Sequence, residues 1–430
     1  MVDASFELDL SLQVGKYDIR KQLGRGATGT VYLAVDTFTG EEVALKVIEP
    51  EVFRDPQFGT VYRTQFLNEA SLAGKLRHPH IVAILNAVVQ EDSGHIAMEC
   101  VMGGDLSQHA TPDTLLPIAD VLQMIFKCCG ALEYAFKEGI VHRDIKPANI
   151  MIAQGTNVKI ADFGAALLRK AQAVQTASIG SPYYMSPEQM EDRPLTHHSD
   201  MYCLGVALYE LLTGQKPFEA DTLQGLVHRV MNEAPPLPSI VRPELPKEVD
   251  GVVLRAMAKK PEQRYETWAD FASELSKLVK LVLPPDAISD SEKFVALKRV
   301  EMLSVLSDAE IWELANAGTW SRVAPRQTII KESDPGKSFF FLAHGQVRVT
   351  RHGRLLNTID ERECFGEMAY IRGGELPRHA TVESVNDILI AEFEPDALAT
   401  MTLGAQYYLM RALVRNLVDR LELANTRLVR

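Results

Sequence analysis

Within one stretch of the chain, His142-Arg143-Asp144 is followed by Lys146 and Asn149, then by Asp162-Phe163-Gly164. Carboxylates, an ammonium and an amide crowded at this spacing suit the transfer of a charged phosphoryl group, where positioning and charge neutralisation do most of the work. Asp144 is placed to accept the proton of an attacking hydroxyl, and Lys146 to steady the group in transit. Asn149 and Asp162 offer oxygens of the kind that hold magnesium against nucleotide phosphates. Upstream, Lys46 interrupts the apolar run Val43-Ala44-Leu45-Lys46-Val47-Ile48. An ammonium in such a strand needs a partner or an anionic ligand, and Glu69 on the following helical stretch, Gln65 to Leu76, is the expected partner. Gly24, Gly26 and Gly29 run into a strand, Thr30 to Val35, so they read as a flap laying backbone N–H groups over phosphates. A dinucleotide turn would run into a helix instead.

A second constellation lies far downstream. Phe365-Gly366-Glu367-Met368-Ala369 opens a short helical turn, and Arg378-His379-Ala380-Thr381 follows after a glycine loop. An arginine in a closed β-pocket can bind a cyclic phosphate through a charge-assisted fork, helped by exposed N–H groups at the turn, and Glu367 suits a sugar 2′-hydroxyl.

The elements that must position these groups follow from the patterning. From Tyr17 to about His95 the chain is strand-rich; from Pro117 to Leu281 helical periodicity dominates, with Val121, Leu122, Ile125, Phe126, Cys129 and Leu132 on one face. Leu283-Pro284-Pro285-Asp286 breaks the last helix and marks a linker over residues 283–291. A helical segment from Glu292 to Ala317 comes next, then short glycine-punctuated strands from Val323 to Phe393, the pattern of a compact barrel or sandwich. Leu403 to Val429 reads as an amphipathic helix with Leu409, Leu413, Leu417, Leu421 and Leu428 on one side. The expected division is an N-terminal extension (1–16), a catalytic unit (17–282, small lobe 17–101, large lobe 102–282), the linker and a receptor unit (292–430).

The 430 residues suffice for two or three domains. A net charge of −12 argues against a general nucleic-acid binder, which needs a basic face. No apolar run approaches the roughly 20 residues that span a bilayer, and Met1 to Leu12 lacks the basic start of a signal peptide. Five cysteines without a CxxC pair fit a reducing compartment, so a cytoplasmic location is expected. Cys128-Cys129 reads as filler of a buried helix, and His78, His80, His197 and His198 lack the framework of a metal site.

In this order the first set of motifs resembles a eukaryotic-like Ser/Thr protein kinase of the bacterial type, over about Tyr17 to Val282. The resemblance implies a bilobal kinase fold, ATP and Mg2+ as cofactors, and protein substrates. It places Leu23, Gly24, Gly26, Gly29, Val31, Ala44 and Lys46 around the nucleotide, Met98 as gatekeeper, Glu99 to Val101 as an adenine-binding hinge, and Asp105 at the ribose. Ser186-Pro187-Glu188 stands where the family has Ala-Pro-Glu, Asp200 with Gly205 resembles an anchoring helix, and Arg264 the partner of Glu188. Lys146, two residues after Asp144, is similar to the Ser/Thr branch. Thr28 departs from the usual aromatic flap tip, and Ser181 from the usual threonine before Pro182. Arg143 before the catalytic aspartate implies an activation-loop phosphate, for which Thr176 and Ser178 are the candidates.

The second set resembles the phosphate-binding cassette of cyclic-nucleotide-binding domains, as in the catabolite activator protein and the regulatory part of cAMP-dependent kinase, with a slightly longer loop between Glu367 and Arg378. That resemblance implies a jelly-roll-like β-barrel with flanking helices and a site made by Gly366, Glu367, Met368, Ala369, Arg378, His379 and Ala380, with Gln406, Tyr407 or Tyr408 on the last helix capping the base. Its relatives' choice between cAMP and cGMP is not legible at His379. The class expected is therefore a multidomain α+β kinase regulated by a cyclic nucleotide. A constitutive kinase with a docking or dimerising C-terminal module is the alternative, with a homodimer seam along the last helix. A non-catalytic scaffold is a third, against which the intact Lys46, Asp144 and Asp162 count.

Overall fold

The computed structural model describes residues 13–26, 29–48, 74–90, 93–163, 182–373 and 376–428. The expectations for Met1 to Leu12, Thr28, Gly164, Ser181, Val429, the helical stretch with Glu69, and the candidates Thr176 and Ser178 fall outside them. The chain divides into two compact units, residues 1–282 and 283–430.

In the first unit, β1 (Gln13–Val14), β2 (Tyr17–Gly26), β3 (Gly29–Asp36), β4 (Glu42–Ile48), β5 (Ile84–Val89) and β6 (Gly94–Glu99) form one antiparallel sheet in the order β1-β2-β3-β4-β6-β5. Alternation along β2 to β4 turns Tyr17, Ile19, Ala34, Val43 and Leu45 to one face, where Ala97 closes a small core. Lys46 stands opposite Val31 on β3 and Ile96 on β6, on a partly open position of the strand. Gly29 has a specific necessity: a Cβ there would lie 2.1 Å from the Val47 carbonyl oxygen, so only glycine lets the flap strand close onto β4.

The remainder of this unit is mainly helical. The helix α1 (Ile118–Lys137) buries the whole predicted apolar face, and Cys128 and Cys129 are fully buried within it. The hairpin β7 (Ile150–Gln154) and β8 (Asn157–Ile160) follows, then α2 (Pro187–Met190), α3 (His197–Thr213), α4 (Leu223–Asn232), α5 (Pro238–Val241), α6 (Glu248–Ala256) and α7 (Trp268–Val282). From Ser199 to Thr213 every residue of α3 is buried, which makes it the axis of the unit. Gly205 is on this helix because a Cβ would come within 3.0 Å of Ala256 and Met257 on the helix α6 and its end.

The second unit opens with α8 (Asp290–Lys298) and α9 (Asp308–Ala317), so the single helical segment expected over this range is split by a 3-10 turn at Glu301–Val305. The start is earlier than expected because Ser289 caps α8, accepting the Glu292 N–H at 3.1 Å. Ten strands follow: β9 (Thr319–Val323), β10 (Thr328–Ile330), β11 (Pro335–Gly336), β12 (Phe339–His344), β13 (Gln346–Arg351), β14 (Arg354–Asp360), β15 (Cys364–Phe365), then, after α10 (Glu367–Arg372), β16 (Leu376–Pro377), β17 (Thr381–Ser384) and β18 (Ile388–Phe393). They form two four-stranded antiparallel sheets, β10-β17-β13-β14 and β15-β12-β18-β9, with β11-β16 as a separate ladder. Phe340, Leu342, Phe365, Ile388 and Ile390 from one sheet meet Ile330, Val347, Ile359 and Val382 from the other, a jelly-roll-like core. The helices α11 (Pro395–Leu398) and α12 (Leu403–Leu428) complete the unit.

The leucine stripe expected on α12 does not hold to one side. Leu409 and Leu413 are buried, while Leu421 is 61% exposed. Residues four apart advance by about 400°, so each step drifts about 40° around the helix and the stripe leaves the core after two turns.

Candidate active site and candidate nucleotide pocket

The catalytic loop is held from below by α3. Asp200, 3% exposed, accepts the His142 N–H on Oδ2 and the Arg143 N–H on Oδ1, each at 2.7 Å. Burial pushes this carboxyl above its ordinary range, and His142 and the two amides draw it back. The loop needs such a clamp because Arg143 sits at φ 68°, a left-handed conformation that costs a non-glycine residue about 1 kcal/mol or more. The His142 ring lies edge-on to Phe163 at 4.6 Å between centroids, with Nε2 at 2.9 Å from the Ala161 carbonyl. It thereby ties the catalytic loop to the segment carrying Asp162, itself at φ 60°.

Two groups converge on Asp144. Lys146 Nζ lies 3.0 Å from Oδ2, and Asn149 donates its side-chain N–H groups to Oδ2 at 3.0 Å and to the Asp144 carbonyl at 2.8 Å. Asn149 is 6% exposed, and with its donors committed to Asp144 its amide oxygen is the atom left to face a cation. Lys46 Nζ pairs with Asp162 Oδ1 at 2.9 Å. The ammonium beside Asp162 holds that carboxyl below the usual range, with burial opposing. The lysine thus has Asp162 as its described partner, and Glu69 lies outside the described residues. Among the described residues no group of three or more His, Cys, Asp or Glu could hold a metal alone. Asp162 and Asn149 are a hard-oxygen pair that fits magnesium when nucleotide phosphates supply further ligands.

The segment after the activation loop is anchored by a buried pair. Arg264 donates to Glu188 through Nη1 at 2.7 Å and Nη2 at 2.9 Å, and its remaining donors reach the carbonyls of Ala258, His198 and Lys259. Burial opposes the Glu188 charge, but the arginine fork outweighs it and keeps the carboxyl low. Ser186 caps α2, and Gln189 on the same turn donates to the Arg143 carbonyl at 2.7 Å, so this anchor also reaches the catalytic loop.

The expected adenine edge is partly committed to the protein. Ala44 and Met98 are paired across β4 and β6, with Ala44 buried and Met98 half-buried. The Glu99 N–H donates to Ala83 at 2.9 Å and the carboxylate pairs with Lys159 at 2.9 Å, so neither of these groups is available to a nucleotide. Asp105 caps the next 3-10 turn, accepting the Ser107 N–H at 2.8 Å. Leu23, Gly24 and Val31 lie at the flap, and Val101 follows β6.

In the second unit a cavity of about 190 Å³ is lined by Gly366, Glu367, Met368, Ala369, Arg378, His379 and Ala380, the whole expected set. Gly366, at φ 80°, leads into α10. Arg378 donates to the Gly366 carbonyl at 3.2 Å and to Ser338 Oγ at 3.1 Å. Glu367 is 5% exposed, and burial pushes its carboxyl up.

The capping residues differ from expectation. Gln406, Tyr407 and Tyr408 are absent from the cavity wall; Gln406 donates to the Met401 carbonyl and the two tyrosine rings meet each other. Arg420 lines the cavity instead, donating to Glu367 Oε1 at 3.2 Å, Glu363 Oε2 at 3.1 Å and the Cys364 carbonyl at 2.8 Å. A rise of about 1.5 Å per residue separates Gln406 from Arg420 by about 21 Å along the helix. The available signal was an arginine seven residues after Leu413, on the same face of α12 as that buried leucine.

Two family models match the chain: "Protein kinase domain" over residues 17–289 and "Cyclic nucleotide-binding domain" over residues 320–403. The first covers well over half of the chain. This protein belongs to the protein kinase family. The chain is similar to serine/threonine-protein kinase PknB of Mycobacterium leprae, with 35% identity over 327 residues, 72% of this chain and 52% of that protein. It is similar also to the probable serine/threonine-protein kinase PknB of Corynebacterium glutamicum, with 36% identity over 275 residues, 61% of this chain and 42% of the relative. Serine/threonine-protein kinase PrkC of Bacillus subtilis shares 33% over 305 residues, 70% of this chain and 46% of its own length. The chain thus spans about half the length of these curated relatives. Among the described residues, no helix is long and apolar enough to cross a membrane.

Proposed function

We propose that the chain phosphorylates serine and threonine hydroxyls of proteins from ATP, and that a cyclic nucleotide in the second unit sets the rate. The observation that carries the first part is the joint convergence of Lys146 and Asn149 on Asp144 beside the Lys46–Asp162 pair. Asp144, oriented by its two partners, accepts the proton as the substrate oxygen bonds to the γ-phosphorus and the bond to ADP breaks. Lys46 steadies the nucleotide phosphates, and Lys146 faces the group in transit. Asp162 and Asn149 would hold magnesium, which would supply neutralising charge to the phosphates. The similarity to serine/threonine-protein kinases supports the Ser/Thr assignment.

The second part rests on the cavity, with Arg378 for the phosphate and Glu367 for the sugar. Arg420 links that carboxylate to α12, so a ligand's hydroxyl meets a group already joined to the last helix. Ligand binding has a route to alter the seating of α12 and shift the kinase between two states. Autophosphorylation from radiolabelled ATP, with and without cAMP and cGMP and with a Lys46→Met control, tests both parts. Transfer that is absent from the wild type, or that is equal in Lys46→Met, rejects the enzyme; a rate indifferent to both nucleotides rejects the regulation.

One observation favours self-association as well. Leu403 (83% exposed), Tyr407 (60%), Met410 (36%), Val414 (45%) and Leu421 (61%) leave an apolar seam at heptad spacing on α12. We propose a second copy of the chain as the partner of this seam. Light scattering of the wild type against Val414→Glu tests it; a wild type that is monomeric at micromolar concentration rejects it.

A further inference from the structure

We infer that Ser338 and Glu392 are positioning residues for Arg378, a hydroxyl-spaced counter-ion that aims the arginine at an anion without neutralising it. The inference rests on reading the cavity as a cyclic-nucleotide site.

Arg378 is fixed at its backbone first. Its N–H donates to Asp334 at 2.8 Å and its carbonyl accepts from Ser333 at 2.9 Å, at the end of the β11–β16 ladder. The guanidinium lies in a slot between two glycines. A Cβ on Gly336 would fall 2.3 Å from its Nε, and one on Gly366 would fall 3.0 Å from Nη1. Its two hydrogen-bond partners, the Gly366 carbonyl and the Ser338 hydroxyl, are both neutral.

Ser338 is 4% exposed, and its own proton goes to Glu392 Oε1 at 2.7 Å. A carboxylate only accepts, so Glu392 fixes the direction of that hydroxyl. The serine oxygen must then turn its lone pair to Arg378 Nη2. The orientation is set by a charge, while the charge itself stays one hydroxyl away. A carboxylate at position 338 would hold the guanidinium as well, but as an ion pair that a ligand phosphate must break. Burial holds Arg378 below its ordinary value while the Glu392 and Glu394 charges oppose that shift, and a guanidinium keeps its proton in a protein, so its charge remains available to the cavity.

The test is titration calorimetry of the full chain with cAMP and with cGMP, alongside thermal melting of each variant. Ser338→Ala and Glu392→Leu should each weaken the preferred nucleotide about tenfold, the loss of one hydrogen bond to a charged group. Ser338→Thr, which keeps the hydroxyl, should stay within about threefold. On an Arg378→Ala background, Ser338→Ala should change nothing, because serine acts only through the arginine. Should Ser338→Ala fail to fold, Glu392→Leu and Ser338→Thr decide the matter. Wild-type affinity in Ser338→Ala or in Glu392→Leu, or a full loss persisting on the Arg378→Ala background, overturns the inference alone. A wild type that binds neither nucleotide overturns the reading of the cavity and this inference with it.

Discussion

Asp200→Asn isolates the clamp under the catalytic loop with almost no change of shape. The carboxylate accepts two backbone N–H groups at 2.7 Å, and the asparagine amide can accept only one of them. Its NH2 faces the other donor. The substitution leaves one backbone N–H facing a donor, a cost of about 1–3 kcal/mol, toward the upper end because the lost acceptor was charged. That loss is of the same size as the roughly 1–3 kcal/mol of strain held in a left-handed residue such as Arg143, so the strain is no longer offset and the loop should relax. Asp144 would lose its position, while Lys46 and Asp162 on other elements would not. The expected result is a kcat lowered at least about tenfold, each tenfold being about 1.4 kcal/mol, with the KM for ATP changed less than about threefold. Steady-state kinetics on a generic protein substrate, with amide exchange of residues 140–149, reads both. A kcat within about threefold of wild type, or a loss confined to ATP binding, refutes the clamp.

Glu188→Ala leaves Arg264 buried and uncompensated, and should lower the stability of the first unit by about 3–5 kcal/mol in urea unfolding. Pairing it with Arg264→Met should recover a large part of that loss. Burial lowers the Lys259 amine to about 8, with Nζ lying 4.0 Å over the Phe218 ring. Since the unfolded chain holds that proton up to about 10.4, stability should rise with pH from about 8 to 10, and Lys259→Met should flatten the rise in melts across that range. Glu367 is raised by burial, so its folded form binds the proton more tightly than the unfolded chain, and stability falls as pH rises through the carboxyl range. Arg420→Gln removes the cation that opposes this shift and should steepen the fall as pH rises above the ordinary carboxyl value of about 4.3, measured by melting temperature.

The chemistry-bearing residues were legible where the spacing was short. Asp144, Lys146 and Asn149 lie within one loop, so their convergence follows from local backbone geometry. The alternation of β2 to β4 and the apolar face of α1 likewise state their burial directly in residue order. Helix starts set by a capping serine, such as Ser289, were readable only with the cap rule in hand.

What stayed hidden depended on contacts between residues far apart in the chain. Asp200 grips a loop 57 and 58 residues away, Arg420 reaches Glu367 from 53, and Ser338 joins Arg378 across 40 and Glu392 across 54. For Arg420 the deciding quantity was the rotation of α12, which drifts by about 40° at every fourth residue and so chooses which side chain enters the cavity. For Ser338 it was the crossing of β11, β12, β16 and β18, which no local pattern encodes. By itself the order of residues determined which groups could act on a phosphate and which strands and helices would carry them. Only the packed chain decided which partners hold those groups in place, because a buried polar group takes its hydrogen bond from whichever neighbour the fold brings within about 3 Å.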